Sequence, residues 1–262
     1  MAGQNCFLAP QAGAKPDSSE RLPVSPANPP SLRTPRRQTL ILLPGALCDA
    51  ALFRHQIAGL SDIADVRVGD LTRDETVEAM AARTLAGFTG RFALAGLSLG
   101  GYVALEIMRR EPERVTRLAL LGTALRAEGS ESDTLVAGIP VSQRADGALP
   151  VMSLLVHPLR MGDRRLTTIL AAMADRVGRK AFQRQQQASQ HRPDSWENLK
   201  TIRCPTLLLT GRQDRLAPPE LHQAMAAAIE GARQIVIEEC GHLSPLERPE
   251  AVTKALREWL SA

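Results

Sequence analysis

Residues 91–101 read Arg-Phe-Ala-Leu-Ala-Gly-Leu-Ser-Leu-Gly-Gly and place Ser98 at the centre of a Gly-x-Ser-x-Gly motif. An apolar run precedes the motif, and an apolar segment with helical spacing follows it until Glu111-Pro112, where proline ends the helix. In a tight turn from a strand into a helix, side chains two positions either side of the serine would collide unless those residues were glycine. The stretch therefore predicts a strand, a sharp turn and a helix, with the serine hydroxyl exposed at the sheet edge.

The same five letters also suit a glycine-rich turn whose serine merely caps the helix. A catalytic serine needs a base, because its hydroxyl is a poor nucleophile at neutral pH. Of the five histidines, only His242 follows a strand-like run, 234–237, across a short turn. We therefore predict that His242 is the base. The other four, His55, His157, His191 and His222, are predicted to face water, with the lining of a pocket as the alternative for His157 and His191.

The base in turn needs a carboxylate that orients its ring, and Asp214 is the candidate. Asp214 follows the apolar run 206–210 after three intervening residues, which places it at the carboxyl end of a predicted strand. Such an aspartate also occurs as a helix cap, a turn residue or an ion-pair partner. Because ligand and catalytic groups collect at the carboxyl ends of parallel strands, Ser98, Asp214 and His242 are predicted to lie together.

A site that stabilises a negatively charged oxygen is predicted beside the serine. The apolar run 39–43 is followed by Pro44-Gly45-Ala46, and glycine lets the next amide turn towards the site. The predicted donors are the backbone N–H groups of Ala46 and of Leu99, the residue after the serine. An ordinary Pro-Gly turn is the alternative interpretation.

Short apolar stretches alternate with helical patterns, which predicts an α/β fold with a mainly parallel sheet covered on both faces. The six predicted strands are 39–43, 65–68, 92–95, 118–121, 206–210 and 234–237. The predicted helices among them are 76–88, 102–110, 219–228 and 251–260. About 80 residues separate the fourth strand from the fifth, more than one crossover helix needs. We therefore predict a helical cap at about 126–200, with helices at 151–155, 165–177 and 180–189.

The first 37 residues differ from the rest of the chain. They hold seven prolines and no periodic apolar face, so a disordered tail is predicted at 1–37, followed by one domain at 38–262. The tail contributes +3 of the net charge of +4, and the nearly neutral remainder argues against a nucleic-acid partner. The tail lacks the apolar core of a secretory signal, and no run approaches the ~20 apolar residues of a membrane span. We expect a cytoplasmic protein without membrane association.

The four cysteines show no CxxC spacing and no cluster with histidine, so reduced thiols are expected, with no metal and no cofactor.

In these features residues 38–262 resemble the α/β-hydrolase superfamily, in particular small bacterial carboxylesterases of the pimeloyl-carrier-protein methyl ester esterase and enol-lactone hydrolase type. The segments that carry the resemblance are Leu42-Leu43-Pro44-Gly45, Ala95-Gly96-Leu97-Ser98-Leu99-Gly100-Gly101, Gly211-Arg212-Gln213-Asp214 with Pro218, and Cys240-Gly241-His242 with Pro249. The order Ser98, Asp214, His242 is the order that α/β-hydrolases use. Many relatives carry His-Gly where this chain has Pro44-Gly45, a difference that keeps the backbone donor of the loop.

The predicted function is that of a serine hydrolase that cleaves a small carboxylic ester, thioester or lactone through an acyl-enzyme. Only eight of the 262 residues are aromatic, and the aliphatic residues of the predicted cap favour a short or medium acyl chain. The resemblance implies a carrier-bound acyl group as one option, with Arg160, Arg164 or Arg165 meeting an acidic partner. The same residues also suit a C–C bond hydrolase, an acyltransferase, a cofactor-free peroxidase or a ligand-binding receptor with little turnover. The sequence gives no oligomeric state.

Overall fold

The computed structural model describes residues 37–125 and 155–262. In these residues the chain forms a six-stranded sheet in which all neighbouring strands are parallel, in the order β2-β1-β3-β4-β5-β6. The strands are β1 (Gln38–Leu43), β2 (Ala64–Val68), β3 (Phe92–Leu97), β4 (Val115–Leu121), β5 (Thr206–Gly211) and β6 (Arg233–Ile237). All six predicted strands, and the predicted α/β fold with a parallel sheet, are confirmed.

Helices lie between most of the strands. They are α1 (Arg54–Leu60), α2 (Val77–Gly87), α3 (Leu99–Arg110), α4 (Arg164–Gln190), α5 (Trp196–Leu199), α6 (Pro219–Ala228), α7 (Ser244–Glu247) and α8 (Pro249–Ser261). Short 3-10 helices span Ala50–Phe53, Pro112–Arg114 and Pro158–Arg160. Successive residues of β1 alternate between two buried apolar clusters, with Leu40 in one and Ile41 in the other. Both faces of the sheet are therefore covered, as the sequence predicts.

Between β4 and β5 the described residues 155–200 are mainly helical. The predicted helices at 165–177 and 180–189 are realised as α4, which is interrupted where Gly178 adopts the non-helical angles φ 75° and ψ 164°. Glycine tolerates this positive φ at little steric cost, so the chain changes direction there without ending the helical region. The rest of the predicted cap, including most of the helix expected at 151–155, lies outside the described residues. The predicted tail does so too, except Arg37.

The register of the sheet brings the carboxyl ends of its central strands level. Leu97 of β3 is paired with Leu121 of β4, and Gly211 of β5 is paired with Ile237 of β6. The loops that follow β1, β3, β4, β5 and β6 therefore begin at one edge of the sheet. All of the predicted site residues lie on these loops or directly after them.

Candidate active site

Ser98 occupies the turn between β3 and α3 in a backbone conformation that residues other than glycine seldom adopt, with φ 54° and ψ −115°. The turn leaves no room for side chains at the flanking glycines. A methyl group at position 96 would lie 2.2 Å from the carbonyl oxygen of Gly100, and one at position 100 would lie 2.1 Å from the carbonyl oxygen of Leu43. The half-buried Ser98 is thereby held at the start of α3, where the helix dipole favours negative charge.

Asp214 and His242 meet in a buried hydrogen bond between the loops that follow β5 and β6. His242 Nδ1 lies 2.9 Å from Asp214 Oδ2 and 3.0 Å from Oδ1. Asp214 Oδ1 also accepts hydrogen bonds from the backbone N–H groups of Leu216 and Ala217, both at 2.9 Å, which fix the carboxylate. An Nδ1 that donates to a carboxylate leaves Nε2 of the neutral ring with a lone pair that can accept a proton.

The surroundings of His242 suit a proton acceptor. Burial pulls the pKa of His242 down, but the charge of Asp214, its hydrogen bond and the charge of Glu247 together outweigh burial, and the pKa is raised. The ring is only 4% exposed. Because the protonated ring is stabilised inside the protein, His242 can take up a proton in a site that excludes bulk water.

The end of β4 connects Ser98 with the Asp214–His242 pair. The Ser98 N–H donates to the carbonyl oxygen of Leu121 at 2.9 Å. Gly122 is the next residue, and a methyl group there would lie 3.1 Å from Asp214 Oδ2 and 3.1 Å from His242 Nδ1. The structure therefore places Ser98 and the hydrogen-bonded pair on the same edge of the sheet, on either side of one strand end.

The loop after β1 forms a turn that packs against Ser98. The Cys48 N–H donates to the Gly45 carbonyl oxygen at 3.2 Å, and Leu47 has a φ of 59°. A positive φ at the third residue alone is the geometry of a type II turn. A methyl group at Gly45 would lie 3.5 Å from Ser98 Cβ. Ala46, one of the two predicted donors, thus follows a residue that lies close to Ser98, and Leu99, the other, directly follows Ser98.

Two histidines predicted to face water are buried, so that prediction was wrong for both. His222 is fully buried, and its Nε2 accepts a hydrogen bond from the Thr123 N–H at 3.3 Å. Burial lowers the pKa of His222 to about 4, against the opposing charge of Asp214, so the ring is neutral at pH 7. His157 Nδ1 accepts from the Leu159 N–H at the start of a 3-10 helix.

Glu247 is a site residue that the sequence analysis missed. Its fully buried carboxylate accepts hydrogen bonds from the backbone N–H groups of His157 (2.8 Å), Gly241 (3.1 Å) and Leu243 (3.1 Å). Burial raises the pKa of Glu247 although these three bonds oppose the shift. Glu247 therefore holds the two residues that flank His242 in the chain.

Within residues 37–125 and 155–262, no group of three or more His, Cys, Asp or Glu side chains is arranged to hold a metal ion. Nor does that part of the chain contain a helix both long enough and apolar enough to span a membrane. Its three cysteines, Cys48, Cys204 and Cys240, are free thiols.

Comparisons with known proteins agree with the fold. Residues 40–255 match the alpha/beta hydrolase family, so the chain belongs to that family. A thermophilic esterase from Thermogutta terrifontis has 30% sequence identity and a TM-score of 0.71, covering 86% of this chain and 90% of that one. The pimeloyl-[acyl-carrier protein] methyl ester esterase of a Neisseria meningitidis serogroup C strain is 26% identical over 193 residues, which cover 70% of this chain and 75% of that protein. The enol-lactonase of Burkholderia xenovorans LB400 shares the fold, with a TM-score of 0.76 at 21% sequence identity. The match covers 88% of this chain and 94% of the enol-lactonase.

Proposed function

We propose that the chain is a serine hydrolase that cleaves a small carboxylic ester, with Ser98 as nucleophile, His242 as general base and Asp214 as the group that orients His242. The observation that carries the proposal is the buried Asp214–His242 hydrogen bond on the sheet edge that also holds the strained Ser98. A nucleophile, a base and an oriented carboxylate are the parts that acyl transfer to a hydroxyl requires.

In the first half-reaction, Ser98 Oγ forms a bond to the ester carbonyl carbon, and its proton passes to His242 Nε2. The carbonyl oxygen becomes an anion, which the N–H groups of Ala46 and Leu99 stabilise. The bond from carbon to the alkoxy oxygen then breaks, and His242 returns the proton to the leaving alkoxide. Water attacks the acyl-enzyme in the same manner, giving its proton to His242, which passes it to Ser98 as the carboxylic acid leaves.

The proposed substrate has a short or medium aliphatic acyl chain. The described cap residues that pack into the apolar core beside the site are aliphatic or sulfur-containing: Leu155, Val156, Leu166, Leu170 and Met173. The esterase of known structure at 30% identity and the methyl ester esterase from Neisseria both support ester cleavage.

A carrier-bound acyl group is the variant of this substrate that the Neisseria relative suggests. Of the three arginines considered for an acidic partner, Arg160 is already engaged, since it donates to the Glu247 carbonyl oxygen at 2.9 Å and pairs with Asp163. Arg164 and Arg165 are exposed at the start of α4 and are the better candidates.

The test is pre-steady-state hydrolysis of p-nitrophenyl butyrate by the full chain. We expect a burst of p-nitrophenol equal to the enzyme concentration, followed by steady turnover, because an acyl-enzyme forms before water releases it. Ser98→Ala should abolish both phases. Ser61→Ala is the matched control, since the Ser61 hydroxyl donates only to the Ala58 carbonyl oxygen on the surface, and it should behave as wild type.

The other functions considered are distinguished by further assays on the same protein. A ligand-binding receptor would be stabilised by ester analogues without turnover. An acyltransferase would transfer the acyl group to an added alcohol faster than to water, and a C–C bond hydrolase would cleave a vinylogous diketone faster than any ester. A cofactor-free peroxidase would consume hydrogen peroxide in the presence of a carboxylic acid. Turnover that persists in Ser98→Ala would overturn the proposal.

A further inference from the structure

Gln185 on α4 joins the cap helix to two loops at the carboxyl edge of the sheet. Its Oε1 accepts a hydrogen bond from the Leu47 N–H at 3.0 Å, and its Nε2 donates to the Leu71 carbonyl oxygen at 3.1 Å. The side chain is fully buried although its amide is polar. Since a buried amide is costly unless both ends are bonded, its two partners are held in fixed positions.

We infer that Gln185 is a positioning residue that holds the turn at residues 45–48, and through it the Ala46 N–H, in the conformation that stabilises the oxyanion. The inference rests on the proposed function, because it assigns a role to the turn beside Ser98. Gln185 itself touches neither the proposed nucleophile nor the proposed base among the hydrogen bonds of the described residues.

The geometry of the turn explains why an acceptor is needed at this point. Types I and II differ by a rotation of the central peptide, here the peptide between Ala46 and Leu47. The type II form gives Leu47 a φ of 59°, which is unfavourable for a residue with a branched side chain, whereas type I would return that φ to negative values. The bond from the Leu47 N–H to Gln185 Oε1 exists only while this peptide keeps its orientation. Gln185 therefore selects the strained form.

The position of the turn makes its conformation matter for catalysis. A methyl group at Gly45 would lie 3.0 Å from a Leu97 methyl and 3.5 Å from Ser98 Cβ, so the turn sits directly against the nucleophile. A displacement of about 1 Å in a positioning group can cost about a hundredfold in rate. Rotation of the Ala46–Leu47 peptide would reverse the directions of the Ala46 carbonyl and the Leu47 N–H, so the turn that carries the Ala46 N–H would lose its fixed point on Gln185.

Arg184 provides a matched control, since it is the neighbour of Gln185 and also docks α4 on the sheet edge. Its guanidinium donates twice to the Thr72 carbonyl oxygen, at 2.8 Å and 3.0 Å. Arg184→Met also removes two hydrogen bonds between α4 and a loop, but it leaves the turn at residues 45–48 intact. Gln185→Met keeps the length of the side chain and removes both hydrogen bonds to the loops.

The first experiment follows amide hydrogen exchange and needs no substrate. In Gln185→Met the Leu47 amide should exchange about tenfold faster or more than in wild type, whereas Arg184→Met should leave it unchanged. Equal exchange of Leu47 in wild type and Gln185→Met would overturn the structural part of the inference, whatever the protein catalyses.

The second experiment compares hydrolysis of an ester with that of the matching thionoester, whose sulfur accepts hydrogen bonds poorly. Gln185→Met should lower kcat for the ester by about tenfold to a hundredfold with little change in KM, and the ratio of ester rate to thionoester rate should fall with it. Adding Leu47→Gly to Gln185→Met should recover part of the lost kcat, because glycine adopts the positive φ without strain. Arg184→Met should keep the wild-type rate ratio.

The two experiments separate failure of this inference from failure of the proposed function. If wild type shows no Ser98-dependent ester turnover, the proposed function fails, and hydrogen exchange still decides whether Gln185 holds the turn. If wild type is active but Gln185→Met and Arg184→Met give the same kcat and the same rate ratio, Gln185 does not position the oxyanion donor.

Discussion

Glu247 and His157, ninety residues apart in the chain, are joined by a hydrogen bond of 2.8 Å from the His157 N–H to Glu247 Oε2. The same carboxylate accepts the N–H groups on both sides of His242. A second connection runs in parallel, since the N–H groups of His242 and Leu243 both donate to the Leu155 carbonyl oxygen, at 2.9 Å and 3.2 Å. The segment that precedes α4 is thus tied to the loop that carries the proposed base.

Glu247→Gln tests this connection with almost no change in side-chain shape. The amide places its NH2 group against backbone N–H donors, so at least one buried donor loses its acceptor. We expect the free energy of unfolding to fall by about 2–4 kcal/mol, as measured by urea denaturation. Glu258→Gln is the control, because the exposed Glu258 pairs with Arg233 only at 3.4 Å and should change stability by less than about 1 kcal/mol. Similar losses in the two variants would contradict the role assigned to Glu247.

Asp214→Asn should lower kcat for ester hydrolysis by about 10³–10⁴-fold while KM changes little. The asparagine NH2 group can act as a donor towards Nδ1, which then favours the ring tautomer with its proton on Nε2 and so without a free lone pair for Ser98. Steady-state kinetics on p-nitrophenyl butyrate measure both constants. Asp194→Asn is a suitable control, since Asp194 likewise accepts a backbone N–H, that of Trp196, and lies outside the site. If kcat and KM moved equally in Asp214→Asn, the orienting acid would be misassigned.

The pH dependence of kcat/KM should report the raised pKa of His242. A general base works in its neutral form, so activity should fall as the pH drops through a midpoint above 6.5, the usual value for histidine. In Asp214→Asn the charge of Asp214 is gone and burial is opposed by the charge of Glu247 alone, so the pKa of His242 falls and the midpoint should move to lower pH. The shift is measured from the residual kcat/KM of the Asp214→Asn variant, followed from about pH 5 to pH 9. A midpoint that stays in place would show that another group controls the profile.

The sequence predicts the strands and the three proposed catalytic residues because both depend on local patterns. Apolar runs define β3, β5 and β6, and parallel strands bring their carboxyl ends to one edge wherever the helices lie. Ser98, Asp214 and His242 each follow such a run closely. Their common placement therefore requires no knowledge of side-chain contacts.

The supporting residues are harder to predict because their partners come from distant segments. Glu247 accepts hydrogen bonds from backbone N–H groups, and every residue except proline has one, so its partners leave no mark in the sequence. The charged Arg248 and the proline that follow it also indicate an exposed position. Gln185 and His222 did leave a signal. Gln185 lies on the buried side of α4 with Phe182 and Ala188, and His222 is three residues before the buried Met225. A polar residue at an apolar position of a helix predicts a buried, bonded side chain.

His222 should make stability depend on pH in a defined direction. Its pKa is about 4 in the folded protein and near 6.5 in the unfolded chain, so between these values the unfolded chain binds a proton that the folded one cannot. The free energy of unfolding should therefore fall by up to about 3 kcal/mol as the pH drops from 6.5 to 4, with no further contribution below that range. His222→Gln removes the titrating group. The difference in free energy of unfolding between wild type and this variant should therefore become smaller as the pH falls from 6.5 to 4. His191→Gln is the control for the substitution itself, because His191 is exposed and its replacement should change the free energy of unfolding by less than about 0.5 kcal/mol at pH 7.

Gly100→Ala and Gly87→Ala should change stability in opposite directions, although each adds one methyl group to a helix. At position 100 the methyl would lie 2.1 Å from the Leu43 carbonyl oxygen, and a backbone atom cannot move aside as a flexible side chain can. At position 87, at the end of α2, nothing lies within 4 Å of the added methyl. We expect a loss of about 3 kcal/mol or more for Gly100→Ala and a gain of about 0.5–1 kcal/mol for Gly87→Ala, from thermal or urea unfolding. If Gly100→Ala were tolerated without loss, the close approach of α3 to β1 would be wrong, and so would the tight turn that places Ser98 at the sheet edge.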